Sequence, residues 1–394
     1  MLRNPDHTLL CPYCFQQSQV TDCPVVASVA VPTPATTNKA LKRDGWISQI
    51  RKSFLRLIGS PSRTSSASSQ SLVTRQCPRC GGLLPHRLDD LDAEFVGIMG
   101  GFHSGKSHYI ASLVRQIEQE RALDSVGCVD FYPIIPKLGQ EYVQKYYACL
   151  YQRKEVIPEA QAIAGFAEPL VYVLVFQRKN MQPRMKQVNL ILLDVAGDEL
   201  LDAQAQNEQI TRYIAGATGL IFLVDPFTIP ALTEWIPVHL QQGQVGPEGF
   251  RILDAIAHVW RHHRGIREGQ ALPLPIAITV AKSDLLRYVV GTPGTRPAFL
   301  SRPNYAGGYQ ALQLPQINDE IKGVLQRYGG GAFLAKGALF RQTGYFAVSA
   351  TGCAPDYGQN PPKYKFVQPV RCVDPLIWLL IQLKVIEVAE SHVK

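Results

Sequence analysis

The run Gly100-Gly101-Phe102-His103-Ser104-Gly105-Lys106-Ser107 fits the phosphate-cradling pattern G-x-x-x-x-G-K-S/T at every required position. Phosphoryl oxygens need several small donors at short range, and glycines let successive backbone N–H groups wrap them. Lys106 then brings an ammonium to the β- and γ-phosphates, and the Ser107 hydroxyl is a ligand for Mg²⁺. His103, Ser104 and Gly105 lie inside the loop and His108 follows it. A nucleoside triphosphate is the ligand this spacing implies.

A second constellation is cysteine. Cys11-Pro12-Tyr13-Cys14 and Cys77-Pro78-Arg79-Cys80 are two C-x-x-C pairs, the latter trailed by Gly81-Gly82. Four thiolates close the tetrahedral shell of a structural Zn²⁺. The pairs stand 62 residues apart, whereas compact ribbons use about 15–20. Loop-closure entropy grows only logarithmically, so a long excursion between the pairs is tolerated. Cys23 reads either as a spare ligand or, more simply, as a lone thiol.

A third set sits where apolar runs end. Residues 188–193 lead into Asp194-Val195-Ala196-Gly197, residues 219–224 into Asp225, residues 275–280 into Ala281-Lys282-Ser283-Asp284, and residues 346–348 into Ser349-Ala350-Thr351. An acid at a strand tip can hold Mg²⁺ through water, and Gly197 frees an N–H for a γ-phosphate. Lys282 can lie along a base plane. Asp284 can accept from the N1–H and exocyclic amine of guanine, which adenine does not present.

These groups need elements to aim them. Residues 93–99 read as a strand feeding the glycine loop, and Tyr109, Ile110, Leu113, Val114 and Ile117 give the helix behind it. Apolar strands alternate with helical stretches beyond residue 91, at 170–176, 188–193, 220–224, 276–280 and 345–348. That alternation predicts an α/β fold with a mostly parallel sheet flanked by helices, its chemistry at the carboxyl ends of the strands. Inserts are expected at residues 132–168, 227–274 and 287–304. Asp374 reads as the N-cap of a last helix with Pro375 at its first position.

In that order, on those strands, the stations resemble the translation-factor-like and Ras-like P-loop GTPases over about residues 93 to 390. The resemblance implies GTP or GDP with Mg²⁺ as ligands. The phosphate loop, Asp194 and Gly197 would hold phosphates and metal; Lys282, Asp284, Ser349 and Ala350 would hold the base. Asp198 stands where Ras-like enzymes carry the glutamine that orients water, and with Lys106 it makes the candidate catalytic pair. The sequence departs from the family twice more. Ala281 replaces the Asn or Thr of the base box, and no threonine occurs between His108 and Asp194 to cap Mg²⁺. Hydrolysis is therefore expected to be slow, partner-stimulated or lost, and Arg212, Arg261 and Arg264 are the arginines available in cis. An N-terminal zinc ribbon joined to such a domain looks like the bacterial double-GTPase families of defence or conflict gene clusters, which implies a second GTPase as partner.

With 394 residues, 46% of them hydrophobic, the chain can bury a sizeable core. No run reaches the ~18–20 apolar residues of a membrane span, and the start runs into Cys11 without an apolar signal core; both predict a cytoplasmic protein. Of the net charge of +8, six units fall between residues 38 and 63, where seven basic residues face one acid. The near-neutral remainder argues against a nucleic-acid-binding body. Within this segment residues 46–58 show helical periodicity with Trp46, Ile50, Phe54 and Leu57 on one side and Lys52 and Arg56 on the other. Such a helix can contact an anionic membrane surface, dock on a partner, or pack on its own body. Residues 60–71 are a Ser-rich linker. The expected organisation is a zinc-ribbon-like module at 1–90, with an insert at about 24–74, followed by a GTPase-like domain at 91–394.

Overall fold

The computed structural model describes residues 8–26, 74–84, 93–101, 103–158, 169–177, 185–192, 208–241, 249–289, 297–303 and 313–387. Residues 194–198, with Asp194, Gly197 and Asp198, and the basic and Ser-rich stretches at 38–71 lie outside the described residues, as does Phe102.

The strands in chain order are β1 (Thr8–Leu10), β2 (Gln17–Gln19), β3 (Val25–Val26), β4 (Thr74–Arg75), β5 (Ala93–Gly100), β6 (Cys128–Pro133), β7 (Leu170–Gln177), β8 (Met185–Leu192), β9 (Gly219–Val224), β10 (Ile276–Val280) and β11 (Thr343–Ala347). The helices are α1 (Lys106–Glu118), α2 (Pro136–Tyr142), α3 (Glu208–Gly216), α4 (Pro230–Thr233), α5 (Gly249–Arg264), α6 (Gln313–Arg327), α7 (Gly331–Gly337) and α8 (Asp374–Gln382). A π-helical segment, Val143–Arg153, continues α2.

Seven strands form one mixed sheet in the order β11-β10-β9-β5-β8-β7-β6. β5 runs parallel to β8 and β9, and β10 parallel to β9 and β11, whereas β7 is antiparallel to β8 and β6 to β7. Parallel strands covered on both faces must be apolar nearly throughout, and all six residues of β9 and all five of β10 are buried. Helix α8 packs on β9, β10 and β11, while α3 and α5 pack together, with α3 against β5. The chain leaves β5 toward β8 on one side and later fills β9 on the other. This is the reversal of strand order that opens a crevice at the carboxyl ends.

The four cysteines sit in two small knuckles. Hairpin β1–β2 brackets Cys11 and Cys14; β3–β4 pairing and a Gln76–Leu83 bridge frame Cys77 and Cys80. Their cores are continuous with the main one, since Phe15 meets Tyr213 of α3 at 5.4 Å.

Two sequence expectations change. The expected insert at 132–168 begins as a seventh sheet strand, β6, followed by α2 and its π-helical continuation. β6 is an edge strand with a bulge between Cys128 and Asp130, and its half-buried residues leave little alternation to read. Asp374, expected as an N-cap, is instead the first residue of α8, which Val373 caps. Its carboxylate accepts from the Arg371 guanidinium at 2.8 Å, both groups almost fully buried. A buried guanidinium needs a counter-charge more than the helix end needs a cap.

Candidate functional site

The loop after β5 is built on conformations its residues allow. Gly105 sits left-handed at φ +78 before the first turn of α1, a region open to glycine. A Cβ on Gly100 would come 2.7 Å from Ser104 Oγ and 2.8 Å from Leu223 O, so only glycine fits where β5 meets β9. His103 holds φ +56 despite its side chain, the kind of local strain found at ligand sites. Lys106 Nζ donates to Gly100 O at 3.2 Å. The Ser104 hydroxyl is 1% exposed and has no hydrogen-bond partner among the described residues. A buried orphan hydroxyl just before the N-terminus of α1 suits an oxyanion.

At the other end of the same crevice, Ser349 Oγ donates to Asp284 Oδ1 at 2.6 Å, and the Gly352 N–H donates to Ser349 Oγ at 2.8 Å. Burial raises the Asp284 pKa, partly offset by the Ser349 hydrogen bond. Lys282 is left-handed at φ +51 and donates to Asp225 Oδ2 at 2.9 Å, its ammonium 5.2 Å from the Phe227 ring. Asp225 Oδ1 accepts from the Phe227 N–H.

Both ends line one cavity of about 270 Å³, which brings together His103, Ser104, Gly105, Lys106, Ser107 and His108 with Lys282, Asp284, Ser349 and Ala350. Gly100, the last residue of β5, is not among the residues that line it.

Three contacts in this region escape sequence reading. His108 Nε2 accepts from the Ile157 N–H at 3.1 Å; burial, then Lys282, push the imidazole down to about 4. Ser112 of α1 donates to Ala350 O at 2.7 Å and accepts from the Tyr151 hydroxyl at 2.8 Å. The phosphate-loop helix is thereby tied to the loop of Ser349 and Ala350, near the place where Ala281 offers no side-chain tie. Tyr357, Tyr364 and Phe227 supply an aromatic wall. Their positions follow from loops that no short motif announces.

In the knuckles, the Sγ atoms of Cys11, Cys14, Cys77 and Cys80 all lie within 4.8 Å of one another. Cys11–Cys80 and Cys14–Cys77 are each 3.7 Å apart. A tetrahedron with Zn–S near 2.3 Å has edges of about 3.8 Å, so the donor set fits zinc. Burial pushes Cys14 up to about 11 and Cys11 higher still. At Cys77 burial is outweighed by the N–H groups of Cys80 and Arg79, which pull the thiol down. Cys23 lies outside the cluster, donating to Gln19 O.

Fold and site define a mixed α/β protein with a phosphate-loop pattern at the reversal of its sheet and a four-cysteine module on one flank. No family model matches the chain. It is 26% identical over 342 residues to the proposed ESX-1 scaffolding and assembly protein SaeC of Mycolicibacterium smegmatis, covering 82% of this chain and 83% of that protein. Among solved structures, it is similar to the Arl6 BBS3 small GTPase of Trypanosoma brucei with bound GppNp, at 11% identity and a TM-score of 0.29, covering 75% of this chain and all of that one. So low a score carries no functional argument, which rests on the cavity. Among the described residues, no helix is long and apolar enough to cross a membrane.

Proposed function

We propose that this chain is a guanine-nucleotide-binding, Mg²⁺-dependent switch with slow or partner-stimulated GTP hydrolysis, acting through contacts with other proteins. One observation carries the reading: the Ser349–Asp284 hydrogen bond and the phosphate-loop residues share a single cavity. A carboxylate held at one edge by a buried hydroxyl presents an acceptor surface, and guanine has two adjacent donors to meet it. At the far end Lys106, the loop N–H groups and the N-terminus of α1 accommodate the phosphates. Mg²⁺, held by Ser107 and Asp194, would neutralise phosphate charge. Gly197 would sense the γ-phosphate, and Asp198 and Lys106 are the residues for water and charge if hydrolysis occurs.

The domain assignment that goes with this is a zinc module at residues 1–90 and a GTPase-like domain at 91–394, in the cytoplasm. The proposed contacts run through the basic segment at 38–63 to a protein partner or a membrane surface. The double-GTPase resemblance proposes a second GTPase and a bacterial defence setting.

A second reading has its own support. The missing switch threonine leaves hydrolysis without a usual part, Ala281 leaves the base box without its side-chain tie to the phosphate loop, and the SaeC name describes scaffolding and assembly. In this reading the chain is a nucleotide-locked scaffold. Equilibrium titration with GTP and ATP tests the common claim: GTP binds more tightly, and Lys106→Ala abolishes binding. ATP binding as tightly as GTP would refute it. Multiple-turnover GTP hydrolysis that Lys106→Ala removes excludes the locked scaffold, whereas its failure with partner present favours it.

A further inference from the structure

We propose that Tyr213 is a positioning residue for the phosphate end of the cavity and that the cysteine module sets it, so that metal binding and nucleotide binding are linked. The proposal deepens the nucleotide reading and rests on it.

Tyr213 belongs to α3 and is 2% exposed. Its hydroxyl accepts from the Ile98 N–H of β5 at 3.1 Å and donates to the Ile191 carbonyl of β8 at 3.3 Å. The paired register of these strands ends at Gly97–Ile191, so the phenol bridges them where their own ladder stops. In sequence, Ile98 lies two residues before Gly100 and Ile191 three before Asp194. One hydroxyl thus fixes the spacing of the two strands that lead into the phosphate loop and the Asp194 segment. The opening it uses is specific: a Cβ on Gly97 would stand 2.7 Å from the Tyr213 oxygen.

The other side of Tyr213 meets the first knuckle. Phe15 packs edge-on against it at 5.4 Å and 70°. Phe15 follows Cys14 directly and holds φ +54. The second knuckle places Gly81 at the same point with φ +73. The two turns repeat each other: the Phe15 N–H donates to Cys11 O as the Gly81 N–H donates to Cys77 O, both at 2.9 Å. A glycine is what this turn favours, since side chains disfavour the left-handed region. The first knuckle carries a phenylalanine there, and its ring lands on the residue that bridges β5 and β8. Gly216, one turn beyond Tyr213, clears the way, because a Cβ there would stand 3.0 Å from Phe15 Cδ1 and 3.2 Å from Leu10 Cδ2.

Four thiolates on one metal hold the turn that keeps Phe15 left-handed. When the turn relaxes, Phe15 leaves that conformation and Tyr213 loses its outer wall. Linkage then requires reciprocity: the factor by which metal tightens nucleotide binding is the factor by which nucleotide tightens metal binding.

The test uses the full-length zinc-loaded protein, a fluorescent GDP analogue, and a soft chelator in excess Mg²⁺. Zinc removal is expected to speed GDP release and to weaken GDP affinity by about fivefold or more, the lower end of typical couplings, and bound GDP to tighten zinc affinity by that same affinity factor. Two variants separate coupling from folding. Phe15→Gly copies the second knuckle and keeps zinc, while Tyr213→Phe keeps the ring and loses only the bridge. Both are expected to retain zinc and to release GDP at a rate that no longer depends on it. Equal GDP release with and without zinc, or a full zinc effect surviving in both variants, overturns the proposal. Hydrogen exchange at the Ile98 amide reads the same coupling without nucleotide. A wild-type protein that binds no guanine nucleotide, yet deprotects Ile98 on zinc loss, would sink the nucleotide reading and keep the bridge.

Discussion

Replacing Asp284 with asparagine separates ligand recognition from folding, because the two effects carry opposite signs. In the proposed complex the carboxylate accepts from N1–H and the exocyclic amine of guanine. Hydrogen bonds to a charged group are worth about 1.5–3 kcal/mol each; the asparagine oxygen still accepts from one donor, so losing the other costs about 1.5–3 kcal/mol, a roughly 10- to 10²-fold weaker GTP affinity. The amide of the replacement presents a donor where guanine presents donors, yet it suits the 2-oxo group of xanthine, so xanthosine triphosphate should gain what GTP loses. Stability moves the other way. Burial raises the Asp284 pKa above its ordinary 3.8, which disfavours the ionised form in the fold. The stability of the neutral form is present below that ordinary value and is lost as pH rises through the raised one. At neutral pH the wild-type protein therefore bears the cost of a buried charge, and the asparagine variant removes it. Competition titrations with GTP, xanthosine triphosphate and ATP, beside thermal melts of nucleotide-free protein, give the readouts. A loss of GTP affinity under about threefold would refute the assignment of Asp284 to the base, since even one such bond is worth more. A variant that melts lower would refute the burial argument.

His108, pushed down to about 4 by burial and Lys282, accepts from the Ile157 N–H through Nε2, so it must be neutral in the fold. Unfolded chains bind more protons than folded ones between about 6.5 and 4; stability is full above that window and declines as pH falls through it. His108→Gln, which keeps an acceptor, should flatten the decline in urea midpoints between those limits. Arg371 and Asp374 form a buried pair, with Arg371 also donating to Ala298 O and Gln313 Oε1. Arg371→Met should cost about 3–5 kcal/mol by stranding the carboxylate, and adding Asp374→Leu should restore part of it in denaturant melts. Metal analysis should find one zinc per chain, absent from Cys77→Ser. Because structural zinc contributes on the order of 10–16 kcal/mol to such modules, chelation should expose the knuckle region to protease.

The parts of this arrangement that were legible in sequence are those carried by local pattern. The glycine loop sits at the end of β5 because strand, turn and helix signals are contiguous there, and the buried runs of β9 and β10 announce themselves by composition. The cysteine pairs could be matched across their long separation because thiolate chemistry ignores sequence distance. What pattern could not show is long-range. Tyr213 reads as one more apolar residue on a helix face, and its bridging hydroxyl depends on Gly97 clearing space in a distant strand. Ser112 reads as a helix serine, although it ties α1 to Ala350. β6 hid in an expected insert because an edge strand with a bulge need not alternate. Pro375 beside it gives Asp374 the signature of a cap, but Arg371, itself left-handed, takes its carboxylate.

The most direct test of the central claim is the nucleotide carried by the protein itself. Zinc-loaded wild-type protein, purified without added nucleotide and denatured, is predicted to release guanine nucleotide that chromatography identifies, and Lys106→Ala to release none. Adenine nucleotide in its place, or equal release from Lys106→Ala, would contradict the account.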